Sequence, residues 1–425
     1  MVQSRVAGRS QAADPSAAVL PPEKFRAVAT FFDAPTVIDC TKTRPDVMVQ
    51  KHQPTQEELE RRRIVGVHAE HVSNISSTDF PGHFPGEDHK WSLEKFKQNF
   101  RVDFHRNEQF EAQFSLVGVD AAIANAFRRI MIAELPTLAI EDVYIIKNTS
   151  IIQDEVLAHR LGLIPLKGNP EAIRNMTWYK KPESGESEEA AHTDYNTVVM
   201  ELNVQCEWAP EAREMAKKGE TDPKKLFINS NVYASQIKFV PTGRQTELFA
   251  GDGAIQPVNP DILIAKLRPG QSINLSMHCI KSIGADHAKF SPVATATYRL
   301  LPHIQITQPI LGADAHKFAR CFPAGVVAEQ TVSAAEAAQP GSPYAGHEGE
   351  KKAVVVNPFN DTVTREVLRH DEFKHKVKLG RVRDHFIFNV ESTGQFDSDD
   401  LFIQSVKALK VKCQVMKRNM ANLMR

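Results

Sequence analysis

An α+β fold is predicted for this chain by three observations. Residues 110–116 alternate apolar and polar side chains with the two-residue period of a strand, and residues 121–135 carry an apolar stripe at helical spacing. Residues 386–391 and 398–423 repeat that strand-then-helix pairing near the end of the sequence. Between the two pairings the pattern changes to short β-branched runs separated by turn residues.

Taken in order, Met1 to about Lys51 is rich in Pro, Ala, Ser and Thr with little periodicity. Residues 1–60 therefore read as a flexible amino-terminal extension. A strand, a loop and a short helix follow, the helix marked by Trp91, Phe96 and Phe100 at steps of four to five residues. Next, Phe110, Ala112, Phe114 and Leu116 alternate with Gln109, Glu111, Gln113 and Ser115, a strand with one buried face. Asp120 offers an N-cap to a helix running to about Leu135, where Pro136 cannot continue the hydrogen-bond ladder. Ile123, Phe127, Ile130 and Met131 fall on one stripe of that helix, while Asn125, Arg128, Arg129 and Ile132 project from the remaining surface. Such a helix has one face for its own sheet and another for a neighbour.

After Leu138, the runs VYIIKN, TVVMELNVQCEW, QIKFVP and SINLSMHCIKSI read as short strands. Two polar loops, Lys180 to Asp194 and Pro210 to Lys225, interrupt them as solvent-facing segments. Residues 328–352 are poor in bulky apolar side chains and read as a flexible excursion. In the last unit Phe386, Phe388 and Val390 alternate with Ile387, Asn389 and Glu391, Gly394 permits a turn, and Asp397 or Ser398 caps a helix. Leu401, Val406, Leu409, Cys413, Met416, Met420 and Leu423 form an apolar seam along that helix. Lys407, Lys410, Lys412, Lys417 and Arg418 occupy its other faces, most of them in the half where the helix dipole favours cations. A seam that long usually has a partner helix.

The chain has 425 residues with 52 Lys plus Arg against 52 Asp plus Glu. That balance argues against nucleic-acid affinity through the whole surface, since phosphate neutralisation needs concentrated cations. The five cysteines, Cys40, Cys206, Cys279, Cys321 and Cys413, are scattered with no C-x-x-C pair, which reads as reduced intracellular thiols. The amino terminus lacks a secretory h-region, and no run approaches the roughly 20 apolar residues needed to span a bilayer.

Chemistry-bearing clusters are sparse. His278, Cys279 and His287 supply three metal ligands at most, one short of a closed tetrahedral zinc site, so no metal and no cofactor are expected. Asp154, Glu155, His159 and Arg160 share a short helix, but Glu155 and His159 at i and i+4 suit a surface pair better than acid–base work. Without a nucleophile motif, P-loop or dinucleotide fingerprint, no catalytic residue is assigned. The basic segment Lys374, Lys376, Lys378, Arg381 and Arg383 reads as a protein contact rather than a phosphate site.

The strings IANAFRRIMIAELPTLAIEDV and DEVLAHRLGLIPLK resemble the alpha motif of cellular RNA polymerases, the family that includes bacterial alpha and the alpha-like subunits of archaea and eukaryotes. The resemblance continues through DILIAKLRPGQ, DHAKFSPVATATYRLLP, REVLRHDEF and VKLGRVRDHFIFNVESTGQFDSDDLFIQSVKALK, covering roughly Ile64 to Cys413. Within the family these strings look like the larger alpha-like type shared by eukaryotic RNA polymerases I and III. The polymerase II type is the alternative, and the missing zinc-binding cysteine cluster speaks against it.

This resemblance implies a split alpha-type dimerisation domain over 61–138 and 289–425, with an inserted β-rich domain over 139–288. It implies a non-catalytic assembly platform for rRNA, tRNA and 5S RNA synthesis in the nucleus, nucleolus and nucleoplasm. Expected partners are a smaller alpha-like subunit, the second-largest polymerase subunit and two small zinc-binding subunits, with nucleic acid reached only through the complex and no membrane. The interface expected from it comprises Ile123, Phe127, Arg128, Arg129, Ile130, Met131, Leu401, Val406, Leu409 and Cys413, with the arginine pair facing a large catalytic subunit. A nucleic-acid-binding module and an independent enzyme built on the inserted region remain the readings from other classes.

Overall fold

The computed structural model describes residues 54–75, 84, 86–87, 89–180 and 192–424. Most of the predicted amino-terminal extension and of the Lys180 to Asp194 loop lies outside the described residues.

Helix α1 (Gln56–Arg63) begins at Thr55, whose hydroxyl accepts from the Glu58 amide at 3.3 Å. It leads into β1 (Ile64–Val67) and the short β2 (Val72–Ser73). Ser92 caps α2 (Leu93–Asn99), the helix expected from the spaced aromatic residues, and β3 (Arg101–Asn107) and β4 (Glu111–Val117) follow as a hairpin. Ala112, Phe114 and Leu116 are fully buried, as the alternation requires, whereas Phe110 stands before the strand and is exposed. Gly118 takes φ +79°, and a Cβ there would sit 2.4 Å from the Asn99 carbonyl oxygen, so only glycine makes this turn. Helix α3 (Ala121–Ala133) buries Ala124, Phe127, Ile130 and Met131. Asp120 occupies its N-cap position but forms no side-chain capping bond, so packing of the stripe positions the helix.

Strand β5 (Pro136–Asn148) runs through the expected boundary at residue 138 without a break. Helices α4 (Asp154–Gly162) and α5 (Pro170–Asn175) come next, then strands β6 (Thr197–Gln205), β7 (Lys238–Val240) and β8 (Ser272–Ile283). The strands form an antiparallel sheet in the order β7-β6-β8-β5. Its apolar face, with Leu157 and Leu161 of α4, makes one core between Leu138 and Cys279.

The chain then forms β9 (Val293–Ile306), α6 (Gly312–Arg320), β10 (Val327–Thr331), β11 (Lys351–Val355), β12 (Val377–Ser392) and α7 (Ser398–Leu423). Strand β12 is the axis of a six-stranded sheet in the order β2-β1-β12-β4-β3, with β9 also pairing β12. Helices α3 and α7 cover one face. There Phe114 stacks on Phe388 with ring centroids 5.2 Å apart, and Phe402 of α7 meets Phe114 at 4.8 Å and Phe127 at 5.3 Å. This second core joins residues 112–135 to residues 293–402 across the intervening sheet.

Two features depart from the sequence reading. A third core, built around Ile310, Phe318, Val326, Val367 and Phe373, lies between Ile304 and Val377. The expected flexible excursion over 328–352 is in fact bounded by paired strands: β10 joins β11 from Val327 opposite Val355 to Thr331 opposite Lys351. Ser333 and Glu336 form a capping box inside it, and buried Lys352 reaches Glu336 at 2.5 Å. The small residues at its centre hid the pairing of its two ends.

Candidate partner interface

Helix α7 carries one apolar line that is buried in its first part and uncovered in its second. The buried part comprises Leu401, Phe402 and Ser405, packed against α3 and the sheet, with Leu409 half-buried at its end. The uncovered part begins at Val406, five residues after Leu401. Val406, Leu409, Cys413, Met416, Met420 and Leu423 alternate steps of three and four, the a/d pattern of paired helices. Beyond Lys410 every described residue of the helix is exposed, with Met416 at 66% and Leu423 at 74%. At about 100° per residue Phe402, Leu409, Met416 and Leu423, seven residues apart, stay on one line, so the face that serves a core at the start of the helix continues uncovered beyond it.

The start of α7 is held from outside the helix. Ser398 Oγ donates to the Glu108 carbonyl at 2.6 Å and its amide donates to the Gln109 carbonyl at 2.9 Å. Asp397 holds the N-cap position without a side-chain capping bond. No basic residue falls in the last turn, so dipole compensation does not account for Lys407 to Arg418. Lys412 is ion-paired at 2.5 Å with Glu134, just after α3.

The other expected interface residues divide by burial. Phe127, Ile130, Met131 and Leu401 belong to the intramolecular core and are not available to a neighbour. Ile123, Val406 and Cys413 are exposed. Ile123 therefore leaves the buried stripe, which Ala124 completes instead. Arg128 is half-buried and donates twice to Asn125 Oδ1, at 2.9 and 3.1 Å, which fixes its guanidinium. Arg129, a further ~100° around the helix, is exposed.

The remaining candidates receive structural roles. His278 and Cys279 are successive strand residues: Cys279 is buried in the core, while His278 packs beside Tyr144 and His192 on the other face. They cannot share a metal. Burial, with His192 nearby, lowers the His278 pKa to about 4, and burial pushes the Cys279 thiol up. His287 Nδ1 accepts from the Lys289 amide. Glu155 and His159 are not paired with each other in the structure. Arg160 instead donates to the carbonyls of Leu263 and Ile264, at 2.8 and 3.2 Å, anchoring α4 to the neighbouring strand. In the basic segment, Lys374 and Lys376 pair with Asp371 and Asp314, and Arg383 donates to the Asn74 carbonyl. These three cations are thus engaged within the chain, where the run of basic residues alone points outward to a partner. Among the described residues no cluster of His, Cys, Asp and Glu is arranged to hold a metal, and no helix is long and apolar enough to cross a membrane.

An antiparallel sheet capped by two helices, one of them projecting an uncovered heptad seam, is the architecture of a subunit-type protein. The chain belongs to the RNA polymerase Rpb3/Rpb11 dimerisation-domain family, which matches residues 113–413. It is 50% identical over 354 residues to the DNA-directed RNA polymerases I and III subunit RPAC1 of Saccharomyces cerevisiae, covering 83% of this chain and 97% of the relative. The Homo sapiens protein of the same description is 45% identical over 358 residues, covering 84% and 94%. Subunit 3 of the DNA-directed RNA polymerases II, IV and V of Arabidopsis thaliana is 29% identical over 309 residues, covering 72% and 86%. Within the family the chain is an alpha-like subunit of the type shared by polymerases I and III rather than of the polymerase II type.

Proposed function

We propose that this chain is the non-catalytic assembly platform of RNA polymerases I and III, in which it heterodimerises with the smaller alpha-like subunit. The pair then docks the second-largest subunit and two small zinc-binding subunits, and the complex synthesises rRNA, tRNA and 5S RNA in the nucleus, nucleolus and nucleoplasm. In this reading residues 61–138 and 289–425 make the split dimerisation domain, and residues 139–288 are inserted into it. The chain contributes no catalytic group, metal or cofactor to the reaction.

The observation that carries the reading is the uncovered seam from Val406 to Leu423. Burying large apolar side chains such as Met416, Met420 and Leu423 contributes roughly 1.5–3 kcal/mol each at most before the cost of association, so the seam is the apolar centre of an interface that needs further contacts around it. Exposed Ile123 and Arg129 on α3 extend the available surface, and Arg129 suits recognition of a partner's carboxylates or backbone carbonyls.

Co-expression with the smaller alpha-like subunit, followed by mass determination, tests the reading. The wild-type chain gives a one-to-one heterodimer, and Met420→Asp abolishes it while leaving the fold intact, because Met420 touches no core. Core residue Phe127 is unsuitable for this purpose, since Phe127→Asp would place a charge in the core and unfold the domain. A folded wild-type chain that stays alone beside the smaller subunit refutes the platform function.

A further inference from the structure

The seam of α7 is bordered by charge of one sign. From Leu401 to Leu423 the helix carries Lys407, Lys410, Lys412, Lys417 and Arg418 and no Asp or Glu. With Val406, Cys413 and Met420 at the a positions and Leu409, Met416 and Leu423 at d, both Lys410 and Lys417 fall at e, beside the seam and seven residues apart. Lys412 falls at g and is taken by Glu134 of the same chain. Lys410 and Lys417 are exposed and have no ion-pair partner among the described residues. Lys407 and Arg418 point away from the seam.

This arrangement discriminates among occupants. In a second copy aligned in parallel, Lys412 at g would face Lys417 at e of the other chain, and an antiparallel copy would set e lysines against e lysines. The antiparallel pairing is repulsive, and in the parallel one Lys417 meets a Lys412 already engaged by Glu134, so neither copy supplies Lys410 and Lys417 with a carboxylate. A nucleic acid would satisfy the lysines but leave the exposed seam residues, Val406, Cys413, Met416, Met420 and Leu423, in water.

Resting on the platform reading, we infer that the helix covering the seam belongs to a different chain and presents carboxylates seven residues apart against Lys410 and Lys417, so that this charged edge selects heterodimer over homodimer. The two turns between the lysines set a spacing of about 10 Å between those carboxylates.

The test uses the co-expressed heterodimer and two double variants of equal charge change, Lys410→Glu/Lys417→Glu at the seam edge and Lys407→Glu/Arg418→Glu on the far side. Dissociation on dilution is followed at ~0.05 M and ~0.5 M salt. The seam-edge variant is expected to dissociate with a constant raised roughly 10-fold at low salt, the difference shrinking at high salt, while the far-side variant stays within about 2-fold of wild type. Equal behaviour of the two variants overturns the inference while the heterodimer, and with it the platform reading, stands. So does a wild-type homodimer as tight as the heterodimer. Loss of affinity for a short DNA duplex in the seam-edge variant, with the heterodimer unchanged, overturns it in favour of a nucleic-acid occupant. A wild-type chain that forms no heterodimer removes both readings together.

Discussion

The guanidinium of Arg174, on α5, donates to Oε1 of Gln404, on α7, at 2.6 Å. The pair joins the β-rich core to the helix that carries the seam, and it closes a recess of about 30 Å³ lined by Leu135, Pro136, Pro170 and Phe396. Lys281, whose ammonium reaches the Arg174 carbonyl at 3.0 Å, holds the same turn from below. The orientation of α7 is therefore coupled to the β-rich unit through named polar contacts.

Removing either partner of that pair measures the coupling. Arg174→Ala and Gln404→Ala are each expected to lower stability by about 0.5–1 kcal/mol, because the contact is charge-assisted but solvent-exposed. A double-mutant cycle on denaturant unfolding of the heterodimer should return a coupling of about 0.5 kcal/mol. Strict additivity would mean that the two units meet independently of this bond.

Gly394 links β12 to α7 with φ +90°, and a Cβ there would lie 2.3 Å from Val258 Cγ1. Gly394→Ala combines backbone strain with a clash and is expected to cost about 1–3 kcal/mol. Val258→Ala in the same chain relieves the clash and not the strain, so about 1 kcal/mol should persist in thermal or denaturant unfolding. Complete rescue would show that the glycine is needed for space alone.

The strand-and-helix pairs were legible in the sequence because one covered face imposes a strict period: Ala112, Phe114 and Leu116 on β4, and Phe127, Ile130 and Met131 on α3. The same logic misplaced Ile123, since a stripe read by spacing alone does not show where the core ends. On α7 the periodicity passed over Phe402, which is buried, and did not show the division between Leu401, which is buried, and Val406, which is exposed. Covering is a tertiary fact. The third core escaped notice because its contributors are dispersed between Ile304 and Val377 and follow no single period. The cations of residues 374–383 were legible as a basic run, but their partners follow no single local rule: Lys374 pairs with Asp371 three residues earlier, Lys376 with distant Asp314, and Arg383 donates to the Asn74 carbonyl.

His278 gives the fold a dependence on pH. Its imidazole is packed against Tyr144 and His192, with Asp142 3.9 Å from the His192 Nε2, and burial lowers its pKa from 6.5 to about 4. Between these values the unfolded chain binds a proton that the folded chain excludes, so stability is full above pH 6.5 and falls as pH drops towards 4. After allowance for partial solvent screening the loss is on the order of 2 kcal/mol. Melting temperatures across that window should decline more steeply for wild type than for His278→Phe, and parallel curves would assign the acid sensitivity to other groups.

The two halves of α7 should differ in dynamics before any partner binds. From Ser398 to Leu409 the helix is fixed by Phe402, by the Ser398 bonds to the β3–β4 turn and by contact with α3. From Val411 onward all described side chains are exposed, and the only tie to the body among the described residues is the Lys412–Glu134 ion pair, itself on the surface. An isolated helix of about 12–15 residues is marginal in water, so this half should open with a free energy near zero, independently of global unfolding. Amide hydrogen exchange on the free chain is then expected to be fast for residues 413–423 and slow for residues 401–409. Formation of the heterodimer should raise protection in the distal half by at least about 100-fold, as the seam becomes a core and opening requires dissociation. Equal, high protection along the whole of α7 in the free chain would mean that the distal helix is stable unaided, leaving seam burial without the ordering effect assigned to it.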